Sequence, residues 1–164
     1  MIYFLGLGTN LGNKEKNLKL AIKKLSAILK ILKRSNIYES KPMGPQNQPD
    51  FLNMVIKVET NLEPLKFLAI IKNIEKEMGR KKTEKWEARV IDVDILIFKE
   101  KEEYVEINLG HKLEIPHPGI LEREFVLKPL EEIAPGLLKK MYKKSFDEIL
   151  KNAVYTVKNR KYKL

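Results

Sequence analysis

Apolar positions recur along this chain in two periods, and the points where the period changes divide it into elements. Residues 2–7 form an apolar run too short for a helix, which reads as a buried first strand. Leu18, Ala21, Ile22, Leu25, Ile28, Leu29 and Leu32 then repeat at three and four, predicting an amphipathic helix over 13–33 with a lysine-rich outer face. Ile37 and Tyr38 fall in a short second strand, and residues 51–58 alternate toward a third. Glu63-Pro64 opens a second helix striped by Phe67, Ile71, Ile74 and Met78, widened by Leu68 and Ile70, with Gly79 as its stop. Residues 86–98 alternate most clearly, with Ile91, Val93, Ile95 and Ile97 on one parity and Asp92 and Asp94 on the other. A charged turn over 99–103 leads to a hairpin partner at 104–107. A helix is expected over 120–130, with Pro129, Pro135 and Gly136 breaking regular structure from there on. A short helix near Phe146, Ile149 and Leu150, an edge strand at 154–157 and a basic tail frayed from 160 complete the reading. The order β-α-β-β-α-β, with an added hairpin and short C-terminal helices, predicts an α+β ferredoxin-like sandwich in which an antiparallel sheet carries two long helices. No repeat or linker interrupts the chain, so one domain over 1–164 is expected.

Composition narrows the function classes. A chain of 164 residues, 43% hydrophobic and 33% charged, suits one folded domain. No run of 18 apolar residues is present and residues 1–8 lack a basic leader, so no membrane span and a cytoplasmic address are expected. The absence of cysteine removes disulfides and thiol catalysis and weakens any zinc reading. The net charge of +10, from 32 Lys+Arg against 22 Asp+Glu, favours anionic partners. Its spread, with glutamates interspersed, fits nucleotides, nucleic acid or the Lys/Glu enrichment of a hot-growing host, and does not choose among them.

The candidate chemistry centres on Asp92 and Asp94. On a strand they stand side by side, about 6 to 7 Å apart. Their repulsion is tolerable on a solvated edge or with a cation between them, and oxygen-only ligation points to Mg²⁺. Arg89 adds a cationic fork suited to a polyphosphate. The segment G-L-G-T-N-L-G at 6–12 matches neither the dinucleotide nor the P-loop pattern, and tight strand-to-helix packing explains its glycines. The proline-stiffened loop over 42–49 can present amides from Gln46, Asn47 and Gln48, with Asn53 beyond it, or can be an ordinary connection. The polar stretch 80–85, rich in cations, reads as a lid over phosphates. His117, between two prolines, can aim its ring at a ligand or pack structurally, whereas His111 is expected in solvent.

Taken together these segments resemble one family, the 6-hydroxymethyl-7,8-dihydropterin pyrophosphokinases of folate biosynthesis. The resemblance is carried by G-L-G-T-N-L-G at 6–12, P-M-G-P-Q-N-Q-P-D-F-L-N at 42–53, W-E-A-R-V-I-D-V-D-I at 86–95, and P-H-P with R-E-F-V-L-K-P-L and E-I-A-P at 116–135. It implies an enzyme that transfers pyrophosphate from ATP to the pterin hydroxymethyl group and releases AMP. It implies two Mg²⁺ ions held by Asp92 and Asp94. Ser40, Lys41, Pro42, Met43, Phe51, Asn53 and Phe125, with Asp92, would meet the pterin, the ring lying between the two aromatics. Trp86, Arg89, Arg80 and Lys82 would belong to the catalytic loop and its base. Glu75, Arg89, Ile95, Lys112, His117 and Arg123 would lie on the ATP side. The partners implied are small molecules, with no nucleic acid and no membrane, and a monomer is expected. The chain departs from the family pattern at Glu87-Ala88 (Gly-Pro in many relatives), Val90 (Thr), Phe51 (Tyr), Lys41 (Pro) and Pro118 (often aromatic). These bear on loop kinetics and nucleotide affinity more than on reaction type.

The rival class is a basic ferredoxin-like nucleic-acid-binding module. It requires the K/R-G-F/Y-G/A-F-V-x-F/Y segment, which is missing here, and its phosphate backbone would meet Asp92 and Asp94.

Overall fold

The computed structural model describes residues 1–80, 87–160, 162 and 164. In chain order the elements are β1 (Ile2–Thr9), α1 (Lys14–Ser26), β2 (Lys30–Arg34), β3 (Tyr38–Ser40), β4 (Phe51–Glu59), α2 (Pro64–Glu77) and β5 (Asp92–Glu100). They continue with β6 (Glu103–Tyr104), β7 (Ile107–Asn108), β8 (Glu114–Ile115), α3 (Glu124–Ile133), α4 (Leu137–Tyr142), α5 (Phe146–Lys151) and β9 (Val157–Arg160). Among the described residues one antiparallel sheet runs β6-β5-β1-β4-β3-β9, with β2 also on β4, and β7-β8 forms a separate pair. The expected ferredoxin-like α+β sandwich is therefore present, enlarged by β2, β9 and a second helical layer.

Alternation in β1 and β4 sorts side chains onto two faces. Tyr3, Leu5 and Leu7 join Leu52, Met54, Ile56 and Val58 in a core closed by Leu18 and Leu25 of α1 and Phe67 and Ile71 of α2. Tyr3 anchors it, stacked on Phe98 at 4.7 Å with its hydroxyl donating to the Leu62 carbonyl at 2.7 Å. On the opposite face Phe4, Val55, Leu96 and Ile97 meet Val126, Leu127 and Leu130 of α3, with α4 and α5 behind. The sequence pattern assigned helices to one face only.

Several boundaries differ from expectation for identifiable reasons. The first helix, capped by the Asn13 side chain on Lys16 N–H at 3.0 Å, stops at Ser26, and residues 30–34 pair with β4. Continued helix would bury Ile28 and Leu32, which are exposed; a two-residue period instead buries Leu29 and half-buries Ile31 opposite Val58. The strand expected from 86 begins at Asp92, and its alternation slips. Leu5 faces Ile95 but Phe4 faces Ile97, so Leu96 is the extra residue of a bulge and Ile97 turns to the second core. The stretch 104–107 splits between two ladders, β6 on β5 and β7 on β8. Pro129 does not break its helix but lies buried inside α3, where packing of Val126, Leu127, Leu130 and Ile133 outweighs a lost N–H worth about 3 kcal/mol. The edge strand lies at 157–160, against β3. In the tail, expected to fray, the Tyr162 carbonyl accepts from Ile37 N–H at 3.2 Å and Leu164 packs against the first core. No helix among the described residues is long and apolar enough to cross a membrane.

Candidate active site: a carboxylate pair above a glycine trough

On the α3 face the second core stops short, and a cleft of about 260 Å³ opens beside it. Sheet register explains why it is hollow there. Gly8 of β1 stands between Asn53 of β4 and Asp92 of β5, and Gly6 stands between Val55 and Asp94. The central strand thus offers no side chain along the trough, while its neighbours raise an amide and two carboxylates. A Cβ on Gly8 would lie 3.2 Å from Asn53 Oδ1, a tight contact that would press on the buried amide.

Asn53 is 6% exposed, and its Nδ2 donates to Ser40 Oγ at 3.0 Å and to the Tyr38 carbonyl at 3.3 Å. Both donors being used, Oδ1 is left as an acceptor in the cleft. Phe51 and Phe125 line the same end, with Lys41, Met43 and Gly44 from the loop that follows β3. Most of that loop's amides turn inward. Gln46 donates to the carbonyls of Pro42 and Gly44, and Gln48 accepts from Asn10, so of the amides expected to face a ligand Asn53 does so.

Asn10, 1% exposed, joins the two halves of the site. Its Nδ2 also donates to the Pro49 carbonyl at 3.1 Å, while its Oδ1 accepts from Arg89 N–H at 2.7 Å and its own N–H donates to the Arg89 carbonyl at 3.1 Å. Arg89 is thereby fixed to the 42–50 loop from outside any strand. The sequence signal for Asn10 was the polar turn in G-L-G-T-N-L-G, which the glycines overshadowed.

The two aspartates are electrically unlike. Both oxygens of Asp92 are held, Oδ1 by Arg80 Nη1 at 2.7 Å and Oδ2 by Arg89 Nη1 at 2.6 Å. Burial pushes its carboxyl up, but the Arg80 and Arg89 charges outweigh burial and hold it below the usual range. Asp94 lacks such contacts: His117 Nε2 and Arg123 Nη1 stand 3.8 and 3.7 Å from its Oδ2. Burial and the Asp92 charge raise it, offset only in part by His117 and Arg123. His117 Nδ1 accepts from Gly119 N–H at 3.0 Å, which places its proton on Nε2, facing Asp94. Burial first, then the Arg123 charge, lower the imidazole's basicity against the pull of Asp94. The Arg123 guanidinium rests on Gly119, and its buried Nε has no hydrogen-bond partner among the described residues.

Several expected nucleotide-side residues take other places. Glu75 is 1% exposed and does not line the cleft; its carboxylate accepts from Val93 N–H at 2.7 Å, Arg80 at 2.5 Å and Lys72 at 3.0 Å. It seals the sheet edge between the aspartates, and burial raises its pKa despite these cations. Ile95 is buried in the first core and Lys112 is exposed in the turn between β7 and β8, as is His111, which was expected in solvent. Pro42 is buried, whereas Ser40, Lys41 and Met43 reach the cleft. Trp86 and Lys82, and most of the expected lid, lie outside the described residues. Glu87, noted above only as a departure from the family pattern, lines the cleft, as do Leu96 and Val126, which the sequence did not single out.

No group of three or more carboxylate or imidazole ligands occurs among the described residues. A protein-only cage is thus not offered there, but Mg²⁺ characteristically takes one or two carboxylates together with substrate phosphates. Asp92 and Asp94, hard oxygen donors in one cleft with Arg89, Arg123 and His117, fit such an ion. Each Asp92 oxygen carries one arginine contact and keeps a second lone pair.

The model of the 7,8-dihydro-6-hydroxymethylpterin-pyrophosphokinase (HPPK) family matches residues 4–135. A 2-amino-4-hydroxy-6-hydroxymethyldihydropteridine pyrophosphokinase of Aquifex aeolicus is 43% identical over 145 residues, covering 88% of this chain and 88% of that protein. One of the same description from Haemophilus influenzae is 41% identical over 137 residues, covering 82% of each. A crystal structure of a Plasmodium falciparum HPPK-DHPS triple mutant superposes with a TM-score of 0.66 at 20% identity, covering 92% of this chain and 44% of that one, a likeness of fold.

Proposed function

Because the chain belongs to the 7,8-dihydro-6-hydroxymethylpterin-pyrophosphokinase family, we propose that the trough between Asn53 and the aspartate pair carries out that family's reaction. The enzyme transfers pyrophosphate from ATP to the hydroxymethyl group of 6-hydroxymethyl-7,8-dihydropterin and releases AMP, a step in folate biosynthesis, with magnesium. The reading of its residues rests on one observation: both carboxylates rise from adjacent rows of one sheet face into a cleft that also holds Phe51, Phe125, Arg89, His117 and Arg123.

The pterin lies between Phe51 and Phe125, with Asn53 Oδ1 accepting from its polar edge and the 40–43 segment beside it. The triphosphate lies toward Asp92 and Asp94, within reach of Arg89, Arg123 and the His117 Nε2–H. Magnesium held by Asp92 and Asp94 supplies charge neutralisation on the phosphates. Two ions are proposed because the family resemblance implies them, with the nucleotide phosphates supplying further oxygen ligands. Arg80 and Arg89, which stand on Asp92, would also offer their guanidinium groups to the phosphate oxygens and help hold the β-phosphorus for in-line attack by the pterin oxygen. Positioning and charge carry the rate; Asp92, held ionised, is a poor proton acceptor. Trp86 and Lys82 belong to the catalytic loop in this reading, whereas Glu75 acts as a brace. Residues 1–164 act as one pyrophosphokinase domain, a cytoplasmic monomer working on small molecules and not on nucleic acid or membranes.

AMP release from ATP, Mg²⁺ and 6-hydroxymethyl-7,8-dihydropterin tests the reading. Replacing Asp92 or Asp94 by Ala is expected to lower turnover by about a hundredfold or more, with unfolding still cooperative. Near-parental Mg²⁺-dependent turnover in either variant would refute the metal assignment.

A further inference from the structure

The strand β9 lies beyond the residues 4–135 matched by the family model, yet it is bonded to the segments that carry both aromatic walls of the cleft. The Lys158 ammonium pairs with the Asp50 carboxylate, and the next residue after Asp50 is Phe51. The Val157 N–H donates to Glu124 Oε2, and the next residue after Glu124 is Phe125. Val157 also stands opposite Ser40 in the β3 ladder. Just upstream, Val154 and Tyr155 donate their N–H groups to the Glu122 carbonyl at 2.9 and 3.0 Å, and Glu124 N–H returns a bond to the Tyr155 carbonyl at 2.9 Å. One segment, 154–160, therefore grips the chain on both sides of Arg123 and, at its other flank, β3 and the entry to β4.

A planar ring held between two aromatic faces needs both at van der Waals distance, and a gap of about 0.5–1 Å forfeits a quarter to a half of the attraction. We infer that β9 is a strap that sets the separation of Phe51 and Phe125, with Glu124 and Lys158 as positioning residues for the pterin. This rests on the reading of the Phe51–Phe125 end as the pterin seat. Neither Glu124 nor Lys158 lines the cleft, so their replacement alters no group placed against substrate. Glu124 also pairs with Lys128 at 2.6 Å and stands in the first turn of α3, so its carboxylate has a plain helical role as well. The two roles separate because Gln keeps an oxygen for Val157 N–H but removes the charge.

Steady-state kinetics of the full chain, with thermal unfolding alongside, test the strap in Glu124→Ala, Glu124→Gln and Lys158→Ala. Loss of the charged acceptor in Glu124→Ala is expected to raise the pterin KM about tenfold, with the ATP KM within about twofold of parental. Glu124→Gln should return the pterin KM to within about threefold, and Lys158→Ala, which breaks a solvent-facing pair and leaves the fold intact, should raise it about threefold. Unchanged pterin KM in Glu124→Ala and Lys158→Ala, equal rises for both substrates, or a Gln variant no better than Ala would each overturn the inference. Should Glu124→Ala not fold, Lys158→Ala and Glu124→Gln decide it. A parental chain that releases no AMP counts against the pyrophosphokinase reading itself; parental turnover with unmoved variants counts against the strap alone.

Discussion

Removal of the Glu75 side chain separates a brace from a nucleotide contact. In Glu75→Ala the buried Val93 N–H, now bonded at 2.7 Å, loses its acceptor, a loss of about 1–3 kcal/mol. Arg80 loses its 2.5 Å partner but keeps Asp92 and is partly exposed, which holds this part near or below the lower end of the roughly 3–5 kcal/mol for breaking a buried pair. Both losses pass through one carboxylate and overlap, giving a total of about 3 kcal/mol. For a chain of this size that corresponds to a fall in Tm of about 6–12 °C. Glu75→Gln keeps an oxygen for Val93 and removes a charge that burial already disfavours, so a fall of no more than about 3 °C is expected. Turnover should fall with stability in the Ala variant, since Val93 lies between Asp92 and Asp94. Thermal unfolding and the ATP KM are the two readouts. The brace is refuted if Glu75→Ala melts within about 2 °C of the parent. It is also refuted if Glu75→Gln melts normally but raises the ATP KM about tenfold, which is the effect a direct nucleotide contact would have.

Two further outcomes are expected from the same geometry. In Gly119→Ala the new Cβ would lie 2.7 Å from Arg123 Cζ, so the guanidinium must move about 1 Å, and kcat for AMP release should drop about 10- to 100-fold at unchanged Tm; a parental kcat would show that the Arg123 position in this structure is not the working one. Asp94 must be ionised to hold a cation, and burial with the Asp92 charge raises its pKa, so protons compete at higher pH than at an ordinary aspartate. The half-saturating Mg²⁺ concentration should climb as pH falls, beginning above the usual carboxyl value of about 4; an Mg²⁺ requirement flat down to that pH would contradict the assignment.

The features legible in the sequence were those that a local period or a contiguous motif encodes. The strands at 2–9 and 51–59, the second helix and the shared parity of Asp92 and Asp94 needed no tertiary information. The end of α1 did, because its apolar residues satisfy both periods until β4 supplies Val58 as a partner for Ile31. The bulge at Leu96 was illegible for the same reason: an extra residue exists only relative to the strand opposite. Within the site, residue type drew attention to Asn53, and the family resemblance named Phe51, Phe125 and Arg123. Type could not show that Glu75 turns inward to a backbone N–H, or that Asn10 holds Arg89, since both depend on contacts across more than a dozen residues.

The position of the cleft reflects an unequal division of the sheet. One face is apolar along most of its length, with Tyr3, Leu5 and Leu7 of the central strand fully packed. The other is apolar only where Phe4, Val55, Leu96 and Ile97 meet α3, and gives way to Gly6, Gly8, Asn53, Asp92 and Asp94. Glycine in a central strand is unfavourable by roughly 0.5–1 kcal/mol at each position, and a carboxylate pair held in a cleft adds repulsion. Such a trough is tolerable only where the same strand residues' neighbours are anchored from behind, and Leu5 and Leu7 alternate with Gly6 and Gly8 to supply that anchorage. Stability and chemistry thus share one strand at a two-residue period, and substitutions at Leu5 or Leu7 should act on folding while those at Gly6 or Gly8 act on ligand binding.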